Sequence, residues 1–407
     1  MSGTKFIADR LFSLSKGHLS STVMRLAVTS VSLSIIVMLI ALAVVVGFKN
    51  AIREKVIGFV APIHIQTLDQ NESYEETPFV VDERLLSCLN DIPEVTHYHA
   101  VANKAGMIKT DEAIQGVVLK GVDANYDWNY FEHCLLSGRL PQYHDSLRST
   151  EVLLSKNIAD KMQLSVDSAV RVWFVDEDMK ARGRKFDIVG VFETGLSEFD
   201  ERFVFCDLGQ IRKLNGWTDD EVGLLEVWID DVDAMQSVNE RLYFGIPGTL
   251  SSYTARDSNP QIFDWLDLLD TNVWLILVLM FLVAGITVIS MLLILIIEKT
   301  STIGLLKAMG ASSAFIRTIF VRRSIRILGL GMLIGNAVGL GFCFLQQQTG
   351  LVRLDPATYY LSAVPVEIHL STVLLLNIGT FVLWMLMLLI PMTMINRVQP
   401  AKSIRFD

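Results

Sequence analysis

Four stretches of this chain, Leu26 to Phe48, Val273 to Ile297, Ile327 to Leu345 and Leu370 to Ile395, contain no charged residue at all. A hydrocarbon core about 30 Å thick takes roughly 20 apolar residues as helix, and the backbone must satisfy its own hydrogen bonds there. A buried helix in a soluble protein rarely stays uncharged for so long, so these segments predict four transmembrane helices. The first is longer than the apolar core of a secretory signal, and no small-x-small cleavage motif follows Gly47, so it reads as a retained anchor. Hydrophobic types make up 51% of the 407 residues, a surplus that lipid absorbs more naturally than an aqueous surface.

Lys and Arg in the short flanks set the orientation. Lys5, Arg10, Lys16 and Arg25 precede the first span. Lys299, Lys307, Arg317, Arg322, Arg323 and Arg326 lie between the second and third, and Arg397, Lys402 and Arg405 follow the fourth. These segments, 1–25, 298–326 and 396–407, are expected to be cytoplasmic, with 49–272 and 346–369 outside. Lys49, Arg53 and Lys55 fall on the wrong side for this rule, but a long segment is translocated largely regardless of charge.

Between Pro62 and Gly248 the pattern changes to short β-branched or alternating runs broken by Gly, Pro and Asp. The expected fold class is a four-helix membrane part plus a large α+β domain inserted between the first and second helices. Strands are predicted at His64–Leu68, Val117–Leu119, Val170–Val175, Phe186–Phe192, Phe203–Phe205 and Leu225–Ile229. Asp82 is placed to cap a helix burying Leu85, Leu86 and Leu89, and Ser155 one burying Ile158, Ala159 and Met162. Before the second span, Ile262, Phe263, Trp265, Leu266, Leu268 and Leu269 alternate with Asp264, Asp267 and Asp270. Either an interfacial helix or a plain extension of the span fits that pattern.

Chemistry-bearing patterns are missing. No GxxxxGK[ST] loop, HExxH, GxSxG or well-placed GxGxxG occurs, so any ATP must be bound by another chain. His97 and His99 share a strand face but lack a third ligand, which favours solvated histidines over a metal site. Acidic runs at Asp176–Asp178 and Asp219–Glu221 read as exposed turns. Cys88, Cys134, Cys206 and Cys343 form no ligand or redox motif and read as packing residues, with one disulfide possible in the outer domain. A net charge of −9 argues against nucleic acid as partner. The spans hold no ionisable group of the kind that ion-coupled carriers place in the bilayer, so energy should arrive mechanically through the loop after the second span. There a short helix ends at Gly310 and a second leads into the third span, with Ile303, Leu306 and Met309 on one side. Such a ridge, flanked by Lys299 and Lys307, suits docking in a groove of another protein or lying on lipid.

The segment EKTSTIGLLKAMGAS resembles the coupling-helix signature of four-span ABC transporter permeases of the FtsX and MacB type. GLVRLDPATYYLSAVPVEI, FDIVGVFETGLSEFD, AVVVGFKNAIREKVIGFVAPIHI and the closing VQPAKSIRFD are similar to the lipoprotein-releasing LolC/LolE branch. The resemblance implies that Glu298, Lys299, Ile303, Leu306, Lys307, Met309 and Gly310 dock on a separate ATPase subunit, which consumes the ATP and Mg²⁺. It implies a second permease copy or paralogue, lipoprotein cargo drawn from the inner membrane, and a periplasmic carrier. Val44, Val46 and Phe48 on the first span, with Leu266, Leu269 and Val273 on the second, would line the lipid-accepting cleft. The rivals are an efflux permease of the macrolide-exporter type, whose ATPase is normally fused ahead of the first span, an FtsX-like scaffold regulating a cell-wall hydrolase, and a membrane-anchored enzyme.

Overall fold

The structure, a computed structural model, describes residues 18–69, 74–110, 113–144, 147–175 and 181–397. The basic residues Lys5, Arg10, Lys16, Lys402 and Arg405, the closing VQPAKSIRFD and the acidic run Asp176–Asp178 lie outside them. The chain divides into a helical unit, residues 1–50, 265–353 and 363–407, and an α+β unit, residues 51–264 and 354–362.

Among the described residues, four helices are long and apolar enough to cross a membrane. All of them differ in extent from the uncharged windows. The first runs His18–Phe59, the second Pro260–Glu298 and the third Ser313–Thr349, because helical hydrogen bonding continues wherever propensity allows and does not stop where hydropathy falls. The stretch before the second span is therefore an extension of that helix. The fourth divides into Leu370–Met387 and Leu389–Arg397. Pro391 accounts for the break: it has no N–H to give Met387, and its ring crowds that carbonyl.

Within the helical unit the first and third helices approach backbone to backbone. A Cβ on Gly331 would lie 2.6 Å from Val31 Cγ1, and one on Gly335 2.8 Å from Ile35 Cβ, so only glycine fits at a four-residue repeat. Ser32 Oγ donates to the Gly331 carbonyl at 2.9 Å across the same seam. Trp384, fully buried, donates from Nε1 to the Phe281 carbonyl at 3.4 Å and ties the fourth helix to the second. Buried Gln346 accepts from Val352 N–H and donates to the Val352 and Val364 carbonyls, which organises the connection between the third and fourth spans.

The α+β unit is built on twelve strands among the described residues: β1 Ile63–Thr67, β2 Phe79–Val80, β3 Val95–Lys109, β4 Ile114–Val122, β5 Leu135–Gly138, β6 Glu151–Ser155, β7 Ala169–Val175, β8 Ala181–Phe192, β9 Phe203–Asp207, β10 Glu221–Val222, β11 Leu224–Ile229 and β12 Leu250–Thr254. The six predicted strands correspond to β1, β4, β7, β8, β9 and β11. Pairing runs β3-β4-β9-β6-β8 and returns through β7 to β3, closing a six-stranded ring. The N-terminal half of β3 leaves the ring and pairs with β11, which continues to β1 and β12. Ring strands point Val117, Leu119, Val152, Leu154, Val172 and Phe186 into one core. The helix Lys156–Met162 closes on it with Ile158, Ala159 and Met162 buried, and Ser155 Oγ accepts from Ile158 N–H as its cap. Asp82 caps Glu83–Asn90 in the same way, with Leu85 and Leu89 buried and Leu86 only half-buried.

Candidate functional site

The loop between the second and third spans folds as two helices hinged on one glycine. Thr300–Ala308 is a helix of about two and a half turns, opened at Lys299, whose ammonium pairs with Glu298 at 3.0 Å. It closes at Gly310, which takes φ +90° while Gly310 N–H and Ala311 N–H return to the Lys307 and Leu306 carbonyls. That left-handed turn favours glycine strongly. Ser312 then caps the next helix by accepting from Phe315 N–H.

The apolar ridge expected along Ile303, Leu306 and Met309 divides. Ile303 is only 2% exposed and belongs to the same core as Leu295, Ile316 and Phe320, with Leu306 packed against it. Met309, 68% exposed, points away, together with Leu305 at 55%. A helix this short has little propensity energy of its own, so Ile303 and Leu306 are taken up holding it to the bundle. The exposed face here is Leu305, Met309 and the adjoining Ser301 and Ala308. Lys307 is half-buried beside it.

At the opposite end of the helical unit, the six cleft candidates are not gathered around one opening. Phe48, Leu266 and Val273 are buried, Phe48 with its ring edge-on to Trp265 at 5.6 Å. Val44 packs partly against the bundle core and Leu269 is half-buried. Val46 lines a narrow apolar crevice with Leu42, Ala43, Ile368, Val373 and Leu376. Lys49 lies next to this packing, ion-paired with Asp270 and 3.9 Å from Asp267, so the first and second helices are clipped by charge as well as by rings. Asn50 donates to Glu367 at 2.6 Å, and Glu367 N–H to the Ala43 carbonyl at 3.0 Å. Within the α+β unit, Arg53 pairs with Asp233, and Lys55 donates to the Thr194 and Tyr360 carbonyls. The three cations that defied the charge rule thus each have a specific partner.

Composition did not reveal the buried charges of the α+β unit. Lys120, 3% exposed, pairs with Glu226 at 2.7 Å and donates to the Phe59 carbonyl at 2.9 Å, at the last residue of the first long helix. Its ammonium sits 5.4 Å from the ring centroids of Phe59 and Phe205, a favourable place for a desolvated cation. A neighbouring cavity of about 270 Å³ is lined by His64, Glu76, Asn103, Lys120, Arg202 and Glu226, among others. Burial there pushes the Glu76 carboxyl up to about 7, against two hydrogen bonds from Asn103, and pushes the His64 imidazole down to about 4. The only advance signal was the charge of Lys120 and Glu226 within apolar strands.

His97 and His99 do share a face, with ring centroids 5.1 Å apart, but they are not both solvated. His97 stacks on Trp228, while His99 is buried, 3.5 Å from Asp123 and accepting from Asp127 N–H. No cluster of three His, Cys, Asp or Glu suited to a metal occurs among the described residues. All four cysteines are free thiols. Asp219 and Asp220 form an exposed turn, with Glu221 half-buried after it.

Residues 25–242 match the family described as MacB-like periplasmic core domain, and residues 274–400 match the FtsX-like permease C-terminal domain. The chain is 22% identical to the lipoprotein-releasing system transmembrane protein LolC of Neisseria meningitidis and 18% identical to LolE of Haemophilus influenzae, each over 95% of both chains. A segment of 70 residues, 17% of this chain and 11% of the other, is 39% identical to the macrolide export ATP-binding/permease protein MacB of Hyphomonas neptunium. With the first match alone covering more than half its length, this chain belongs to the MacB-like periplasmic core domain family and is a membrane permease of the ABC transporter class.

Proposed function

We propose that this permease draws lipoproteins out of the inner membrane toward a periplasmic carrier, driven by ATP hydrolysis in a separate subunit. The supporting observation is similarity to the lipoprotein-releasing LolC and LolE proteins along nearly the whole chain, through both the α+β domain and the helices. In this reading both termini and the Thr300–Ala308 helix are cytoplasmic, and the α+β domain, inserted between the first and second spans, is periplasmic. Leu305 and Met309 enter a groove of the ATPase, Glu298, Lys299 and Lys307 supply charge at its rim, and Gly310 sets the turn. Ile303 and Leu306 carry the movement into the bundle core. ATP and Mg²⁺ act in the partner chain. A second permease, identical or paralogous, completes the transporter, and two coupling helices drawn together by ATP binding tilt the spans as rigid bodies.

The test is purification from the native membrane in mild detergent, followed by ATPase assays with added lipoprotein. A co-purifying ATPase whose turnover rises with lipoprotein is the expected result. An ATPase accompanied by a cell-wall hydrolase, or stimulated by a macrolide and not by lipoprotein, would replace this cargo with one of the rivals.

A further inference from the structure

Four strands of the α+β unit place polar side chains on one face of the sheet. His64 of β1 stands opposite Glu226 of β11, and Asn103 of β3 opposite Lys120 of β4. Polar groups buried in this way are normally matched bond for bond. Here the matching is incomplete. Lys120 takes Glu226 Oε1, and Asn103 gives its amide nitrogen to Glu76. Glu226 Oε2, Asn103 Oδ1 and His64 Nε2 have no hydrogen-bond partner among the described residues, although Glu226 is only 1% and His64 7% exposed. All of these residues line the cavity of about 270 Å³.

The lining selects the charge and the donor character of a ligand. Five carboxylates and two permanent cations surround the cavity. Lys120 pairs with Glu226, Lys104 reaches in to Glu75, both at 2.7 Å, and Arg202 donates to Tyr74 Oη at 3.0 Å. Glu76 accepts two hydrogen bonds from Asn103, at 2.9 and 2.6 Å, and is paired with no cation among the described residues. Glu226 Oε2 and Asn103 Oδ1 can only accept, and a neutral His64 Nε2 accepts in one tautomer, so a group that completes them must donate. Part of the wall is aromatic. Phe59 lies 4.7 Å from Phe199 and 5.4 Å from Phe203 between ring centroids, and Tyr74 lies 5.9 Å from Phe203. Ring faces attract cations, as the Lys120 ammonium beside Phe59 already does, and offer apolar contact to a short alkyl chain.

We propose that this cavity binds a small aliphatic amine, its ammonium donating to Glu76 and Glu226 and its carbon chain lying against Phe59, Phe199 and Tyr74. Its volume, below the range of about 300–1,000 Å³ usual for drug-sized ligands, limits that chain to a few carbons. The site is independent of the cargo and of the ATPase. A purely structural ion pair is the competing account, but Lys120 and Glu226 alone do not require a carboxylate without a cation and three unmatched polar atoms on the same cavity.

The full-length protein, purified in mild detergent, is titrated calorimetrically with 1,4-diaminobutane at pH 8, where the Glu76 carboxyl is ionised. Parallel titrations use 1,4-butanediol and succinate, four-carbon chains without the positive charge. Wild type should give saturable heat with the diamine alone. Glu76→Gln should weaken diamine binding about tenfold, and Tyr74→Leu several-fold. Tyr74 is 46% exposed, so its replacement leaves the fold intact, and thermal melts without ligand check both variants. Absence of saturable heat from the diamine in wild type overturns the proposal and leaves the cavity to water. Equal binding of butanediol overturns it as well, as does undiminished diamine affinity in Glu76→Gln.

Discussion

Asn336 of the third long helix and Asn377 of the fourth hold each other by a reciprocal pair of amide hydrogen bonds, at 2.7 and 2.9 Å. Each amide also donates to its own helix, to the Met332 and Val373 carbonyls, both at 2.8 Å. Polar bonds between membrane helices contribute about 0.6 kcal/mol on average and rarely above about 1.7. Asn377→Leu should therefore destabilise the protein by about 1 kcal/mol, and N336L/N377L should recover much of that by leaving no amide without its partner. A double-mutant cycle on thermal unfolding in detergent measures the coupling, and strict additivity would show that the pair does not act as a unit.

The glycine seam gives a larger effect. Gly335→Leu must push the first helix away from Ile35 and Ser32, and Gly331→Leu from Val31. Overpacking of this kind costs about 1–3 kcal/mol or more. Gly341→Leu on the same helix meets nothing within 4 Å and should be neutral in the same melting experiment.

Removing one member of a buried ion pair strands the other. Lys120→Met leaves Glu226, 1% exposed, without its cation, a loss of about 3–5 kcal/mol, and K120M/E226L should restore part of it. If K120M alone melts within a degree of wild type, water reaches the pair and it is not buried as described.

Glu76 makes the α+β unit respond to pH. Its folded carboxyl titrates near 7 and an ordinary one near 4.5, so the folded state holds the proton more tightly and stability is lost as pH rises through that interval. His64 works in the opposite direction. Its folded value near 4 against an ordinary 6.5 removes stability as pH falls from 6.5 to 4. Glu76→Gln abolishes the first trend and keeps the second, so the gain in melting temperature over wild type should grow between pH 5 and 7.5. A gain of equal size at both pH values would rule out titration of Glu76 as the cause.

How much of this was legible in advance follows the range of the forces involved. The spans, the caps at Asp82 and Ser155, and the strands around Val170–Val175 and Phe186–Phe192 are local signals of hydropathy, capping and alternation. β3 escaped because its burial pattern changes midway, where it passes from one set of neighbours to another. β12 reads as a polar loop, yet Leu250, Ser251, Ser252 and Thr254 are all buried. At the Thr300–Ala308 helix the periodicity joined Ile303, Leu306 and Met309 in one stripe, but could not tell that Ile303 and Leu306 turn to the bundle while Met309 turns away. At the outer ends of the first two spans the apolar residues read as a cleft, and half of them are packing. The partners of Lys49, Lys55 and Lys120 come from distant parts of the chain and leave no mark on local sequence.

The surface at Leu305 and Met309 is testable apart from stability. Leu305→Glu and Met309→Glu should leave the melting temperature within about 1 °C while reducing recovered ATPase several-fold, because exposed positions seldom contribute to folding. Ile303→Glu should unfold the loop and lose both. ATPase recovery unaffected by either exposed substitution would place the docking surface elsewhere.

β3 serves two masters. Its Val101 sits opposite Leu224 on one flank and Val122 on the other, at the junction where the ring and the arm carrying β11, β1 and β12 divide. A rotation of the arm cannot be absorbed by a flexible linker, since none intervenes. It must either twist the ring or tear a ladder, which makes the domain behave as a stiff lever and not as two plates on a hinge.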